Sequence, residues 1–296
     1  MRTIPKKLTG PVIAGILAAA LAACAPAPVR NQIVTTLYPT EFLVQRVADG
    51  TPPVHNLAAA GVEPHDLELS TRQVDALQDA DVVFTLIPGF QPAVDAAVRQ
   101  RRGTTVELVR ALPADVAAAA KTDPHVWLDP VLMRDLARAT TDALVAAYPD
   151  RADAYRARAA ELDAQLVALD AGYRTGLADC QRRTIFTAHD AFGWLAQRYG
   201  LTQMSVAGKD PETEPDAATL ADLADQARRS GATTIFTEEL VSPKVAESLA
   251  REAGGLQVAT LSPIESLTPE QGESGDDYFS LMRANLATLR AALGCQ

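Results

Sequence analysis

The sequence is sparing with the side chains that carry thiol and imidazole chemistry: it holds four histidines and three cysteines in 296 residues. Positive charge is also short. The formal net charge of −10 argues against nucleic acid or an anionic membrane surface as partner, because both reward clustered Lys and Arg. Such a balance is compatible with attracting cations. No His-Glu-x-x-His and no Gly-x-Ser-x-Gly occurs, so nothing in the chain marks the zinc or serine centre of a hydrolase. Beyond the first two dozen residues no apolar run approaches the length of a membrane span. Low-complexity tracts and short repeats are missing too. What remains is 48% apolar and 22% charged, an ordinary globular composition long enough for two lobes with real cores.

The N-terminus departs from that pattern. Arg2, Lys6 and Lys7 precede an apolar stretch at 8–20 of signal-peptide length, and Leu21-Ala22-Ala23-Cys24 resembles the lipobox of bacterial lipoproteins. The resemblance implies a signal peptide at 1–23, lipid attachment at Cys24 and a short tether at 24–32 carrying Pro26 and Pro28. The alternative is an ordinary secretory signal with an Ala-rich cleavage site. Removing Arg2, Lys6 and Lys7 takes the net charge from −10 to −13. The chain is then expected outside the cytoplasm, at the cell surface or in the periplasm, touching the membrane through its lipid anchor only. An exported protein sits where disulfides persist, so Cys180 and Cys295 are expected to pair. The competing reading, a thiolate metal site, would need more cysteines or a histidine close by in sequence.

From Ile33 the chain alternates short β-branched runs with helical patterns, the rhythm of an α/β fold. Strands are expected at 33–37, 54–57, 82–87 and 104–108, and again at 184–187, 203–206, 234–237 and 257–261. Ser70 and Gln73 form a capping box that opens a helix running to about Gln78. Between the two sets of strands, Tyr155, Ala159, Leu162, Leu166, Leu169, Tyr173 and Leu177 recur every three or four residues over 152–178 without an intervening proline. Such a helix, roughly 40 Å long, exceeds what one small lobe requires and suits a spine along two. Later helices are expected at 191–199, 217–230, 244–253 and 277–293, with Gly231 and Gly254 at C-cap positions. The expected fold is two α/β lobes, 33–145 and 180–296, joined by one long linker helix within 146–179.

Three of the four histidines share a setting, each just past an extended segment and beside a carboxylate: Glu63-Pro64-His65-Asp66, Asp123-Pro124-His125-Val126 and Thr187-Ala188-His189-Asp190. Open α/β sheets bind ligands outside the carboxyl ends of their strands, so these positions face the expected cleft. Proline before His65 and His125 restricts the preceding residue to extended conformations. Imidazole is a good ligand for zinc and related metals, but spacings of 60 and 64 residues are no motif by themselves. His55 has no such setting.

Longer segments around these residues resemble the cluster A-I solute-binding proteins, the zinc and manganese receptors of ABC importers. Gly61-Val62-Glu63-Pro64-His65-Asp66-Leu67-Glu68 is similar to the family's first ligand loop. Asp123-Pro124-His125-Val126-Trp127-Leu128-Asp129-Pro130 is similar to the second and is the most specific match. Thr187-Ala188-His189-Asp190-Ala191-Phe192-Gly193-Trp194-Leu195-Ala196 resembles the third, and Gly275-Asp276-Asp277-Tyr278-Phe279 with 281–286 the fourth. Ile235-Phe236-Thr237-Glu238 and Ser242-Pro243-Lys244 match a further segment. The resemblance covers the mature chain in order. It implies two lobes bridged by a long helix, with a metal in the interlobe cleft bound by His65, His125, His189 and Asp276. Asp277 is the weaker alternative, and a helix N-cap is the plain reading of that acidic pair. Glu238 is expected in an ion pair beside the site.

Manganese receptors of this kind carry glutamate where this chain has His189. Three imidazoles and one carboxylate suit tetrahedral zinc, whereas manganese prefers oxygen-rich sites of higher coordination. The resemblance therefore implies a monomeric, non-enzymatic receptor that binds Zn2+ and passes it to an ABC permease, with manganese transport or surface adhesion as alternatives. Two departures stand out. The stretch 111–122 lacks the family's His-rich loop, and Leu86-Ile87-Pro88-Gly89-Phe90-Gln91 lacks its usual glutamate and tryptophan.

Overall fold

The computed structural model describes residues 32–209 and 216–296. The signal segment, Cys24 and most of the tether lie outside the described residues. No helix among the described residues is long and apolar enough to cross a membrane.

The first half runs β1 (Ile33–Thr35), α1 (Tyr38–Ala48), β2 (Val54–Asn56), α2 (Thr71–Asp79), β3 (Val82–Thr85), α3 (Pro92–Val98), β4 (Thr104–Glu107), α4 (Ala114–Ala119) and α5 (Pro130–Ala147). The long α6 follows (Ala152–Gly176). The second half runs β5 (Thr184–Thr187), α7 (Gly193–Tyr199), β6 (Thr202–Ser205), α8 (Ala217–Arg229), β7 (Thr234–Thr237), α9 (Lys244–Glu252), β8 (Gln257–Thr260), α10 (Pro269–Ser274) and α11 (Tyr278–Leu293). Each lobe carries one parallel four-stranded sheet, ordered β2-β1-β3-β4 and β6-β5-β7-β8. The two orders are the same pattern used twice.

The strand sequences explain their positions. Central β1, β3, β5 and β7 read Ile-Val-Thr, Val-Val-Phe-Thr and twice Thr-Ile-Phe-Thr, and they are almost wholly buried. That is what a parallel strand covered by helices on both faces demands. The outer strands are more polar and partly exposed; His55 stands on one of them, exposed and away from the cleft. The expected strand at 82–87 ends at Thr85, where Leu86 and Ile87 stay buried while turning into the loop that holds Pro88. The capping box of α2 forms as expected, Ser70 accepting from Gln73 N. Gly231 and Gly254 sit at positive φ just past α8 and α9.

Helix α6 spans 25 residues, about 37 Å at 1.5 Å each. It packs on α1 and α5 of the first half and on α11 of the second. Tyr155 Oη donates to Thr51 O (3.2 Å) near one end, and Tyr173 Oη donates to Met282 O (2.7 Å) near the other. One continuous apolar cluster runs from Ile33 through Trp127, Phe192 and Tyr278 to Leu293. Phe42 of α1 meets Tyr278 and Phe279 of α11 with ring centroids at 5.2 and 5.5 Å. The lobes therefore share a core as well as a cleft. A disulfide joins Cys180 to Cys295, as expected, and closes the last helix onto the start of the second lobe.

Candidate metal site

All four site residues are carried past the carboxyl ends of strands. His65 lies beyond β2, His125 beyond β4, His189 beyond β5, and Glu265 beyond β8. One ligand atom from each lies within 4.8 Å of every other. His125 and His189 are fully buried, Glu265 is 2% exposed, and the His65 side chain is 12% exposed.

Glu265 Oε1 lies 2.9 Å from His125 Nε2, 3.3 Å from His65 Nε2 and 3.7 Å from His189 Nε2, and the last two-lobe pair, His189 Nε2 to His125 Nε2, is 3.5 Å. Ligands ~2.0–2.1 Å from one tetrahedral zinc would stand ~3.3–3.4 Å apart. These four separations scatter around that edge length and all the ligand atoms lie within 4.8 Å of one another, so the cluster can close on a single small cation.

On His125 and His189 the far nitrogen is engaged elsewhere, which turns Nε2 inward. Asp123 Oδ1 is 2.8 Å from His125 Nδ1, and Glu238 Oε1 is 2.6 Å from His189 Nδ1. A carboxylate on Nδ1–H fixes the tautomer and leaves the Nε2 lone pair for a metal. The His189 backbone is clamped as well: Thr187 Oγ1 and Gln203 Nε2 both donate to His189 O, at 2.7 and 3.0 Å. Pro64, just before His65, is held through its carbonyl by the buried Gln91 amide, which also donates to Thr36 O. Phe90 packs edge-on against His65 at 4.7 Å between centroids.

The electrostatics are those of a carboxylate among imidazoles. Burial pushes the His125 pKa down, but its bonds to Asp123 and Glu265 outweigh that and lift it to about 9. For His65 burial likewise lowers, and Glu265 raises by more. Burial would raise Glu265, yet His125 and His65 hold it well below the usual carboxylate range. Beside it Glu63 is pushed up to about 7 by burial and by the Glu265 charge. The centre thus favours positive charge on His125 and His65.

The carboxylate that joins the three histidines in the structure is Glu265, not the expected Asp276. Asp276 is absent from the cluster: its Oδ1 accepts from Ser280 Oγ (2.9 Å) and its Oδ2 from Ser274 Oγ (3.1 Å) at the head of α11. Its neighbour Asp277 is the N-cap of α11, in a capping box with Ser280. The plain reading of that acidic pair holds, and the carboxylate at the centre belongs to Glu265. A weaker signal for Glu265 was present in Pro263-Ile264-Glu265, an acid four residues past an expected strand with a proline two positions before it. The turn that presents it is strained. Ile264 is β-branched with φ +57°, a conformation that costs ~1–3 kcal/mol and persists only where the surroundings impose it. Asn285 of α11 imposes it from one side, accepting from Ser262 N (2.8 Å) and donating to Ser262 O (2.7 Å). Trp127 Nε1 donates to Pro263 O (2.7 Å) from the other lobe. The 281–286 segment thus serves the site by holding the Glu265 turn.

Residues 33–292 match the sequence profile of a family described as zinc-uptake complex component A, periplasmic. The zinc-binding protein AdcA of Streptococcus pyogenes serotype M6 is 34% identical over 285 residues, covering 88% of this chain and 55% of the relative. The chain thus spans about half the length of the curated relatives of that type. The high-affinity zinc uptake system protein ZnuA of Bacillus subtilis is 31% identical over 278 residues, covering 88% of this chain and 87% of the relative. Among solved structures, the Zn(II)-bound ZnuA-like domain of Streptococcus pneumoniae AdcA superposes with a TM-score of 0.77 at 34% identity, covering 89% of this chain and 99% of that one.

Proposed function

The chain belongs to the family of zinc-uptake complex component A, and on that premise we propose that it binds Zn2+ outside the cytoplasm through His65, His125, His189 and Glu265 and delivers it to an ABC-type permease. The observation that carries the ligand assignment is the convergence of three imidazoles and one carboxylate, with a ligand atom of each within 4.8 Å of every other. Zinc is the cargo. Binding displaces the protons that His125 and His65 hold in its absence, and Glu265 neutralises one of the two charges. Asp123 and Glu238 stay on the Nδ1 atoms and keep both imidazoles aimed. Four protein ligands saturate a tetrahedral zinc and leave no position for a reacting water, in keeping with a receptor rather than an enzyme.

We further propose a lipid anchor at Cys24, a monomeric state, and a division into lobes at 33–145 and 180–296 about a linker at 146–179. Elemental analysis of the purified mature chain, paired with His189→Glu, tests the proposal. One equivalent of zinc in the wild type, lost or exchanged for manganese in the variant, supports it. No zinc in the wild type, and none taken up on titration, would overturn it.

A further inference from the structure

One cation stands behind the zinc ligands without touching the metal centre. Lys209 follows β6, and its Nζ lies 2.7 Å from Asp190 O, 2.7 Å from Asp190 Oδ2 and 3.0 Å from Asp123 Oδ2. Three oxygens match the three donors of an ammonium. They belong to two lobes. Asp190 directly follows His189, while Asp123 is the carboxylate whose other oxygen orients His125 through Nδ1. Lys209 therefore joins the supports of two ligands that approach the metal from opposite sides of the cleft.

We propose that Lys209 is a positioning residue for metal retention: its bridge from Asp190 to Asp123 holds His125 and His189 in the closed arrangement and slows release of the metal. The inference rests on the zinc-receptor reading above. Other bonds cross the cleft, among them Arg198 to Asp129 (2.7 Å), Tyr278 Oη to Trp127 O (2.7 Å) and Trp194 Nε1 to Asp123 O (2.8 Å). Among the described residues, Lys209 to Asp123 is the lysine or arginine pair that ends on a carboxylate bonded to a candidate ligand. The packing leaves room for it. A Cβ on Gly193, at the start of α7, would stand 2.6 Å from Asp123 Oδ2, so a larger residue there would displace the carboxylate from the bridge. The Lys209 side chain is 29% exposed and lines a cavity of about 230 Å³ that opens beside His65. Solvent and salt therefore reach it, and the bridge is weaker than a fully buried one.

The test is zinc release from the loaded mature chain into excess chelator, followed by stopped flow in wild type, Lys209→Met and Lys209→Arg. Lys209→Met should keep one equivalent of zinc but release it about 3- to 10-fold faster, the range of a partly exposed charged contact. Lys209→Arg should stay within about 2-fold of wild type, because it restores the charge. Raising ionic strength from about 0.05 M to about 0.5 M should speed release from the wild type by more than from Lys209→Met, which among the described residues retains only the Arg198–Asp129 pair across the cleft. Release from Lys209→Met at the wild-type rate would overturn the inference, as would Lys209→Arg releasing as fast as Lys209→Met. A wild-type chain that takes up no zinc would instead overturn the receptor reading, so the two failures are distinguishable.

Discussion

In the C-terminal lobe His189 stands two residues beyond β5 and Glu265 five beyond β8, whereas in the N-terminal lobe His65 stands nine beyond β2 and His125 eighteen beyond β4. The sheets have the same strand order, so the difference lies in the connections. Short connections inherit the rigidity of the sheet. His189 is pinned by Thr187, Gln203 and Glu238, and Glu265 by a strained turn clamped by Asn285. Long connections must borrow rigidity. The His125 loop borrows it across the cleft, through Trp127 to Pro263, Tyr278 to Trp127 and Trp194 to Asp123. The His65 loop leans on Gln91 at Pro64 O, Glu63 at His65 N and the edge of Phe90, and across the cleft on Leu267 O through Gly61 N (2.7 Å), four residues before the histidine. It also faces the open cavity. Of the four candidate ligands, three are buried and held at their own residue or its neighbours, and His65 is the partly exposed one at the mouth.

That contrast can be broken by measuring what each ligand is worth. His189→Ala and Glu265→Ala should each weaken zinc binding by more than about 1,000-fold in chelator competition, ~4 kcal/mol. His65→Ala should cost less, about 100-fold, because water reaching the site through the cavity can take the vacated position. If His65→Ala proves as damaging as His189→Ala, the contrast between the two kinds of loop is wrong. A smaller step is Glu238→Gln. It keeps the shape but removes the charge behind His189 Nδ1, and should weaken binding about 10- to 100-fold, the usual effect of a carboxylate behind a metal-bound histidine.

Proton competition gives the next effect. The His125 pKa stands at about 9 in the metal-free arrangement, so below pH 9 its proton must leave before Nε2 can bind. Zinc affinity should fall by about tenfold per unit from pH 9 toward 7, and more steeply once His65 also holds its proton. Metal-free stability has the opposite sign. A histidine pKa raised from 6.5 to about 9 on folding contributes stability that is fully present below 6.5 and lost as pH rises through 9. Thermal unfolding of the metal-free chain between pH 6.5 and 9 should show that loss, and a flat profile in both experiments would contradict the arrangement around His125.

Much of this was legible in the chain because local patterns carry it. The stripe from Tyr155 to Leu177 gives the spine, Ser70 with Gln73 gives a helix start, and three histidines past strand ends give most of the site. The lobes' shared core was not legible. Clamping of the lobes by the metal is the natural inference from ligands split between them, yet Phe42 against Phe279 and Trp127 against Pro263 join them without any metal. Those contacts bridge more than 130 residues of sequence, and no periodicity reports them. Gln91, Gln203, Asn285 and Lys209 were equally hidden, because they act on backbone or on distant carboxylates. The carboxylate of the cluster was hidden for a different reason. Asp276 sits in a segment whose importance was read correctly, but that segment acts through Asn285 and the α11 cap, and the carboxylate it supports is Glu265.

The most direct test of the account compares Glu265→Ala with Asp276→Ala by elemental analysis and zinc titration of the purified mature chain. The account predicts one equivalent of tightly held zinc in Asp276→Ala, with affinity within about 2-fold of wild type, and none retained by Glu265→Ala. Zinc lost from Asp276→Ala and kept by Glu265→Ala would contradict it.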